Sequence, residues 1–181
     1  PLNPMINAGA IATASCCAGE KDPFGEFLSL TRRLCGRETI CLNKAVYLSE
    51  KKAGMRNRSM AYLMQDDHVL DCDAETALDL YFRMCSVEVN TRDLANYMLV
   101  LSCNGTDPRT GERLVEDWIA RIVKTLMVTC GLYDGSGEFA MRVGLPAKSG
   151  VGGGIVASVE GKMGIAAFSP ALDKKGNSVG A

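Results

Sequence analysis

The chain has 181 residues, 47% hydrophobic and 23% charged, with 20 basic against 21 acidic side chains and a net charge of −1. That balance fits one globular domain able to bury a core without staples, and it supplies no basic field to hold a nucleic acid. No apolar stretch approaches the roughly 20 residues of a spanning helix and no charged start leads into an apolar leader, so a cytoplasmic protein without membrane or nucleic-acid partners is expected.

The first predicted helix opens at Asp22-Pro23, a capping acid followed by proline at the first helical position, and Phe24, Phe27, Leu28, Leu34 and Cys35 recur at helical spacing until Gly36. A second is predicted over Ser49–Gln65, a third over Ala74–Met84 behind the Asp73 cap, and a fourth over Thr91–Ser102 before the Asn104-Gly105 stop. The fifth carries the stripe Val115, Trp118, Ile119, Ile122, Val123, Leu126, Met127 and Cys130, read as core and closed by Gly131. Beyond it the chain changes character, since 12 of the 19 glycines lie after residue 130. Ile155–Val159 and Met163–Phe168 flank a turn at Glu160-Gly161-Lys162 and predict an antiparallel hairpin. The expectation is an α+β fold in one domain over residues 1–181, mainly helical over 1–130 and made of loops and strands over 131–181, with a sheet that needs further strands.

Cysteine and histidine usage narrows the chemistry. Eight cysteines form no C-x-x-C pair and have no histidine at ligand spacing, so neither a metal site nor a redox pair is read; most are expected to be reduced and core-filling. The single histidine, His68, sits in a polar helix-end context and reads as solvated, which leaves lysine or tyrosine as the base of any nucleophilic chemistry. The glycine-rich run Ala147–Gly154 fails as a phosphate loop because Ala147 and Arg142 stand where glycines are required. It reads instead as a bend at a sheet edge.

Glu50 and Asn57 are seven apart on the predicted second helix, two turns that would place them on one face about 10 Å apart. They could grip two ends of a small polar molecule, or be a first-turn acid and a surface amide. Tyr81 lies between Leu80 and Phe82 and reads as core, whereas Tyr133, in Tyr133-Asp-Gly-Ser-Gly137, stands on a loop where reactive groups concentrate. The clusters Glu50-Lys51-Lys52 and Arg56 with Arg58 read as solvated helix faces.

Several collinear blocks together closely resemble the glutaminases, the serine-dependent, β-lactamase-like L-glutamine amidohydrolases. They are Asn3-Pro-Met-Ile-Asn7-Ala-Gly-Ala-Ile11, Ser49-Glu50 with Arg56-Asn57, Tyr81-Phe-Arg-Met-Cys85-Ser-Val-Glu-Val89, Gly131-Leu-Tyr133-Asp-Gly-Ser-Gly-Glu-Phe139 and Gly144-Leu-Pro-Ala-Lys-Ser-Gly-Val151. The resemblance implies a β-lactamase/transpeptidase-like fold, a helical subdomain beside a mixed α/β sandwich with an antiparallel sheet, and an active site in the cleft between them. It implies hydrolysis of L-glutamine to L-glutamate and ammonia through a γ-glutamyl ester on the serine of an S-x-x-K motif. By motif, Tyr133 resembles the proton-shuttling hydroxyl, the Val151 N–H an oxyanion-hole donor, and Asn7, Glu50, Asn57 and Tyr81 the clamp on the amino-acid end. Lys148-Ser149-Gly150 resembles the K-T-G strand motif and takes a supporting, positional role. No cofactor is implied, and a homotetramer or dimer is. Only Ser49 and Lys52 have S-x-x-K spacing in this chain, inside the substrate-binding block. The nucleophile is therefore expected upstream of Pro1, with this portion alone inactive. The alternative is a non-catalytic glutamine-binding or oligomerisation module of the same family.

Overall fold

A computed structural model of the chain describes residues 3–181. It forms two compact units, Pro1–Leu30 with Thr39–Glu88, and Thr31–Glu38 with Val89–Ala181. The division does not follow the expected change at residue 130, because the helices after Val89 group with the strands.

The first unit is helical: α1 (Asn7–Cys17), most of α2 (Pro23–Cys35), α3 (Lys44–Ala53), α4 (Met55–Asp66) and α5 (Ala74–Cys85). Its core is Ile11, Ala14, Ala61, Ala77, Leu78 and Phe82. Asp73 caps α5 by accepting from the Thr76 N–H, as its sequence position predicts. Sequence periodicity missed α1, which is small and apolar on all sides and has no capping side chain. Close packing supports it instead: a Cβ at Gly9 would lie 2.1 Å from the Asn3 carbonyl oxygen. The predicted helix over Ser49–Gln65 is in fact two helices, broken at Gly54. A side chain there would meet Phe82 Cζ at 2.6 Å, so only glycine lets α5 approach the junction. Glu50 and Asn57 thus lie on different helices, and two-turn spacing does not relate them. Arg58 is not a solvated cation either, since it donates to the Lys51 carbonyl and pairs with Glu75. His68 is exposed in the left-handed region just past α4. All eight cysteines are free thiols, but only Cys35 is buried, which corrects the core-filling expectation for the others.

In the second unit the end of α2 is tied to α6 (Thr91–Ser102) and to the loop that follows. Asn96 donates to the Cys35 carbonyl, Arg109 to the Leu34 and Cys35 carbonyls, and Arg37 forks onto Asp93. Asp93 is buried and closes a capping box with Asn90. The Arg37 guanidinium outweighs burial and holds its carboxyl below the usual carboxylate range. Stability from such a group is full above about pH 4 and lost as pH falls through the folded value. Arg37→Ala should therefore lower stability at pH 7 by about 2 to 3 kcal/mol, measured by urea unfolding. The difference should shrink below about pH 4.

The strands are β1 (Ala147–Ser149), β2 (Gly154–Val159) and β3 (Met163–Phe168), antiparallel in the order β1-β2-β3. The predicted hairpin is present, with Val159 opposite Met163 and Gly161 in the left-handed region. The region read as a bend supplies β1, with Ala147 opposite Ala157. On one side Ala147 and Ala157 pack with Leu132, Phe139 and Leu145. On the other, β3 lies so close to α6 that a Cβ at Gly164 would be 2.0 Å from the Ala95 carbonyl oxygen and 2.4 Å from the Leu99 nitrogen. Backbone cannot yield as a flexible side chain does, so Gly164→Ala should destabilise the protein by about 2 to 3 kcal/mol. A fall in thermal midpoint would show it; an unchanged midpoint would mean that α6 and β3 separate freely.

α7 (Asp117–Cys130) is not the buried stripe expected. Ala120 and Met127 are buried, but Trp118 is 60% and Ile122 50% exposed. The polar Lys124 is buried instead, its ammonium shared by Asn104 and the Glu160 carboxylate. A 3-10 turn (Tyr133–Gly135) and α8 (Ser136–Arg142) complete this unit before the strands.

Candidate functional site

The site residues expected from sequence fall in two groups, one in each unit. In the first unit, Asn57 is buried near the start of α4, and its Oδ1 accepts from Asn7 Nδ2 at 2.9 Å. A bond between residues distant in sequence thus fixes two of the four expected clamp residues against each other. Tyr81 and Glu50 both influence a residue that sequence reasoning did not select. The Cys85 thiol, one turn beyond Tyr81 on α5, is hydrogen-bonded to Tyr81 and feels the Glu50 charge. Although the Cys85 side chain reaches solvent, desolvation by the groups packed around it is the main influence pushing that thiol up, with Glu50 adding to it and the Tyr81 bond opposing it. The i,i+4 spacing of Tyr81 and Cys85 was visible in the sequence; the approach of α3 was not.

The carboxylate of Glu50 is exposed, and among the described residues it accepts no hydrogen bond and makes no ion pair. Its neighbour Lys51 is engaged elsewhere, with Asp79 and the Tyr47 hydroxyl. An exposed, unmatched carboxylate can receive an ammonium, and amide and phenol donors of the same unit can receive a carboxylate. Tyr81 does double duty, as it is buried and packs on Phe82 at 5.8 Å between ring centroids. Ser49 and Lys52, which have the S-x-x-K spacing, are both exposed on α3.

A cavity of about 460 Å³ also lies in this unit, lined among others by Phe24, Lys51, Asp79, Leu80 and Arg83. None of the four clamp residues lines it. Asp79, one of the carboxylates that line it, is already engaged by Tyr47, Lys51 and Arg83, and the clamp rather than this cavity is taken as the candidate site.

In the second unit, Tyr133 follows the end of α7 with φ +52, in the left-handed region that side chains enter only at a cost. Gly131 makes this corner possible, because a Cβ there would be 1.8 Å from the Ala147 carbonyl oxygen of β1. The half-buried phenol is pushed up by burial, above the ordinary phenol value. Lys148 of β1 places its ammonium 4.7 Å from the centre of the Tyr133 ring. Val151 sits in the turn between β1 and β2, 69% exposed, and among the described residues its N–H donates to nothing. Gly176 lies between the two residues: a Cβ there would be 3.6 Å from the Tyr133 ring and 3.9 Å from Val151 Cγ1.

Two supports of this group were not selected from sequence. Asn177 is buried, accepts from the Ser149 hydroxyl and donates to the Leu132 carbonyl, so it ties β1 to the residue before Tyr133. Gly176, with φ +89, lets the C-terminal segment pass beside the ring. Among the described residues, no three His, Cys, Asp or Glu side chains are gathered to hold a metal ion, and no helix is long and apolar enough to cross a membrane.

A family model described as Glutaminase matches residues 1–181. The chain is 53% identical over 181 residues to a glutaminase of Clostridium tetani and 54% identical over 183 residues to one of Clostridioides difficile. In each case the match takes in 99% of this chain and 59% of the relative. It therefore spans about three-fifths of the length of these relatives. Among solved structures, a Bacillus subtilis glutaminase in covalent complex with 5-oxo-L-norleucine, formed with 6-diazo-5-oxo-L-norleucine, superposes with a TM-score of 0.94. That match is 37% identical and covers 99% of this chain and 64% of the other.

Proposed function

This chain belongs to the glutaminase family, and from that premise we propose that it carries the amino-acid clamp, the proton-transfer tyrosine and an oxyanion donor of an L-glutamine amidohydrolase. Glu50 receives the α-ammonium of L-glutamine, while Asn57, held by Asn7, and Tyr81 donate to the α-carboxylate. A serine hydroxyl attacks the side-chain carbonyl, its proton passing to the lysine of the S-x-x-K motif and on through Tyr133 toward the leaving nitrogen, and the Val151 N–H stabilises the oxyanion that forms. Such a donor contributes roughly 3 to 4 kcal/mol of the barrier reduction. Tyr133 passes a proton to the departing nitrogen, which leaves as ammonia. Water then cleaves the γ-glutamyl ester, giving L-glutamate and returning the serine hydroxyl. The chain matches about three-fifths of its relatives' length, and the serine of the S-x-x-K motif is assigned to the part of a glutaminase that this match does not cover. The covalent complex of the Bacillus neighbour is consistent with a nucleophile in this family.

The observation that carries this reading is the unmatched Glu50 carboxylate in the same unit as the Asn7–Asn57 pair. Eight free thiols fit a reducing, cytoplasmic setting, and self-association as a dimer or tetramer belongs to the same reading. Calorimetric titration of the chain should show binding of L-glutamine and not of D-glutamine. A chain extended upstream to include Ser-x-x-Lys should release ammonia from L-glutamine. Binding of neither enantiomer would sink the clamp assignment, and binding without release from the extended chain would leave a non-catalytic module.

A further inference from the structure

We infer that the cavity of about 460 Å³ in the first unit is a second small-molecule site, built for a carboxylic acid that carries an apolar body and no amine. One wall comes from α5, where Asp79, Leu80 and Arg83 share a helix face. The connection from α1 into α2 forms another with Lys21, Asp22 and Phe24, and α3 contributes Lys51. The site is separate from the glutamine clamp. Glu50 and Tyr81 adjoin Lys51 and Leu80 in the chain, but of these four only Lys51 and Leu80 line the cavity.

Lys21, Lys51 and Arg83 line the cavity together with Asp22, Glu75 and Asp79, and this nominal balance hides a positive surplus. Glu75 is matched from outside the cavity, by Arg58 at 3.5 Å, and accepts from the Tyr62 hydroxyl. Asp22 caps the start of α2, accepting from the Gly25 N–H, where the helix dipole offsets its charge. Asp79 alone holds two cations, Lys51 at 2.5 Å and Arg83 at 2.8 Å. Lys21 is exposed, and among the described residues it makes no ion pair and no hydrogen bond. One cation beyond Asp79 and one free lysine therefore call for an anion.

The rest of the lining selects among anions. Leu80 is buried and Phe24 packs against the core, and together they give the cavity an apolar side. A bare inorganic anion would leave that side and most of the volume empty, since cavities of this size hold small organic ligands. An amino acid would bring an ammonium into a positive site, which like charges oppose. The complement is an aromatic or aliphatic carboxylate. Its anion meets Lys21 and the Lys51 and Arg83 pair, and its body covers Phe24 and Leu80.

The test is amide NMR of the isotope-labelled chain titrated with hydrocinnamate. The Phe24, Thr76 and Leu80 signals, all from the lining, should shift to saturation with a Kd of about 1 mM, ordinary for a ligand of this size. Those of Asn7 and Asn57 should stay in place. The neutral hydrocinnamide should bind at least about 10-fold more weakly, and inorganic phosphate should leave the lining signals unmoved. Lys21→Gln, an exposed change that keeps the fold, should weaken hydrocinnamate about 5-fold. Saturating L-glutamine should not displace it. Equal binding of the amide, equal shifts with phosphate, or unchanged affinity in Lys21→Gln would overturn the proposal. Displacement by L-glutamine would also overturn it, because the carboxylate would then occupy the clamp. The chain extended upstream should give the same Kd; loss of binding there would show that the rest of the protein fills the cavity, and the site would fall. If hydrocinnamate binds as expected while L-glutamine binds neither chain, the clamp reading fails and this site stands.

Discussion

Tyr133→Phe is expected to slow ammonia release from L-glutamine by about 10³-fold in an extended, active chain, within the range for loss of a positioned proton-transfer group. Substrate binding should change little. A phenol carries its proton at neutral pH and burial pushes this one further up, so it can donate to a leaving nitrogen, and phenylalanine removes that proton while preserving the ring. The ring makes the other contacts of the site, with Lys148 and Gly176, so the fold and the oxyanion turn should survive. Turnover is measured by coupled ammonia detection and binding by calorimetry. A fall in kcat with unchanged affinity is the expected pattern; unchanged kcat would remove Tyr133 from its role.

Glu50→Gln is expected to weaken L-glutamine binding about 30-fold, the ~2 kcal/mol of a hydrogen bond to a charged group at an exposed site. The substitution keeps shape and removes only charge, and Glu50 makes no ion pair among the described residues whose loss would confuse the result. Thermal stability should therefore stay within about 0.5 kcal/mol of the original, as for other surface changes. Calorimetry with L-glutamine reads the first quantity and thermal unfolding the second. Equal affinity for the two proteins would show that the ammonium is bound elsewhere.

Much of the helical part was legible from local rules. Asp22 and Asp73 announce helix starts by the same physics that caps them in the structure, and α6 begins and ends at the predicted residues, with an Asn90 cap that was not singled out. The failures have particular causes. α1 has no amphipathic period because small residues pack on several sides of it. Gly54 inside a helical pattern does not announce a break; Phe82, distant in sequence, makes glycine necessary there. The stripe on α7 is apolar without being buried, since Trp118 and Ile122 face outward and Lys124 inward.

The sequence by itself determined most of the helices, the β2–β3 hairpin and the family, because capping, periodicity and motif order are local or collinear properties. Only the tertiary structure decided that Asn7 meets Asn57, that the Glu50 charge on α3 acts on Cys85 of α5, and that Lys148 stacks on Tyr133. Each of these joins residues from different elements, and the approach depends on which neighbours are small enough, as at Gly54 and Gly131, to let backbones come within contact. Residue spacing along a chain does not encode that distance; close packing of the folded elements sets it.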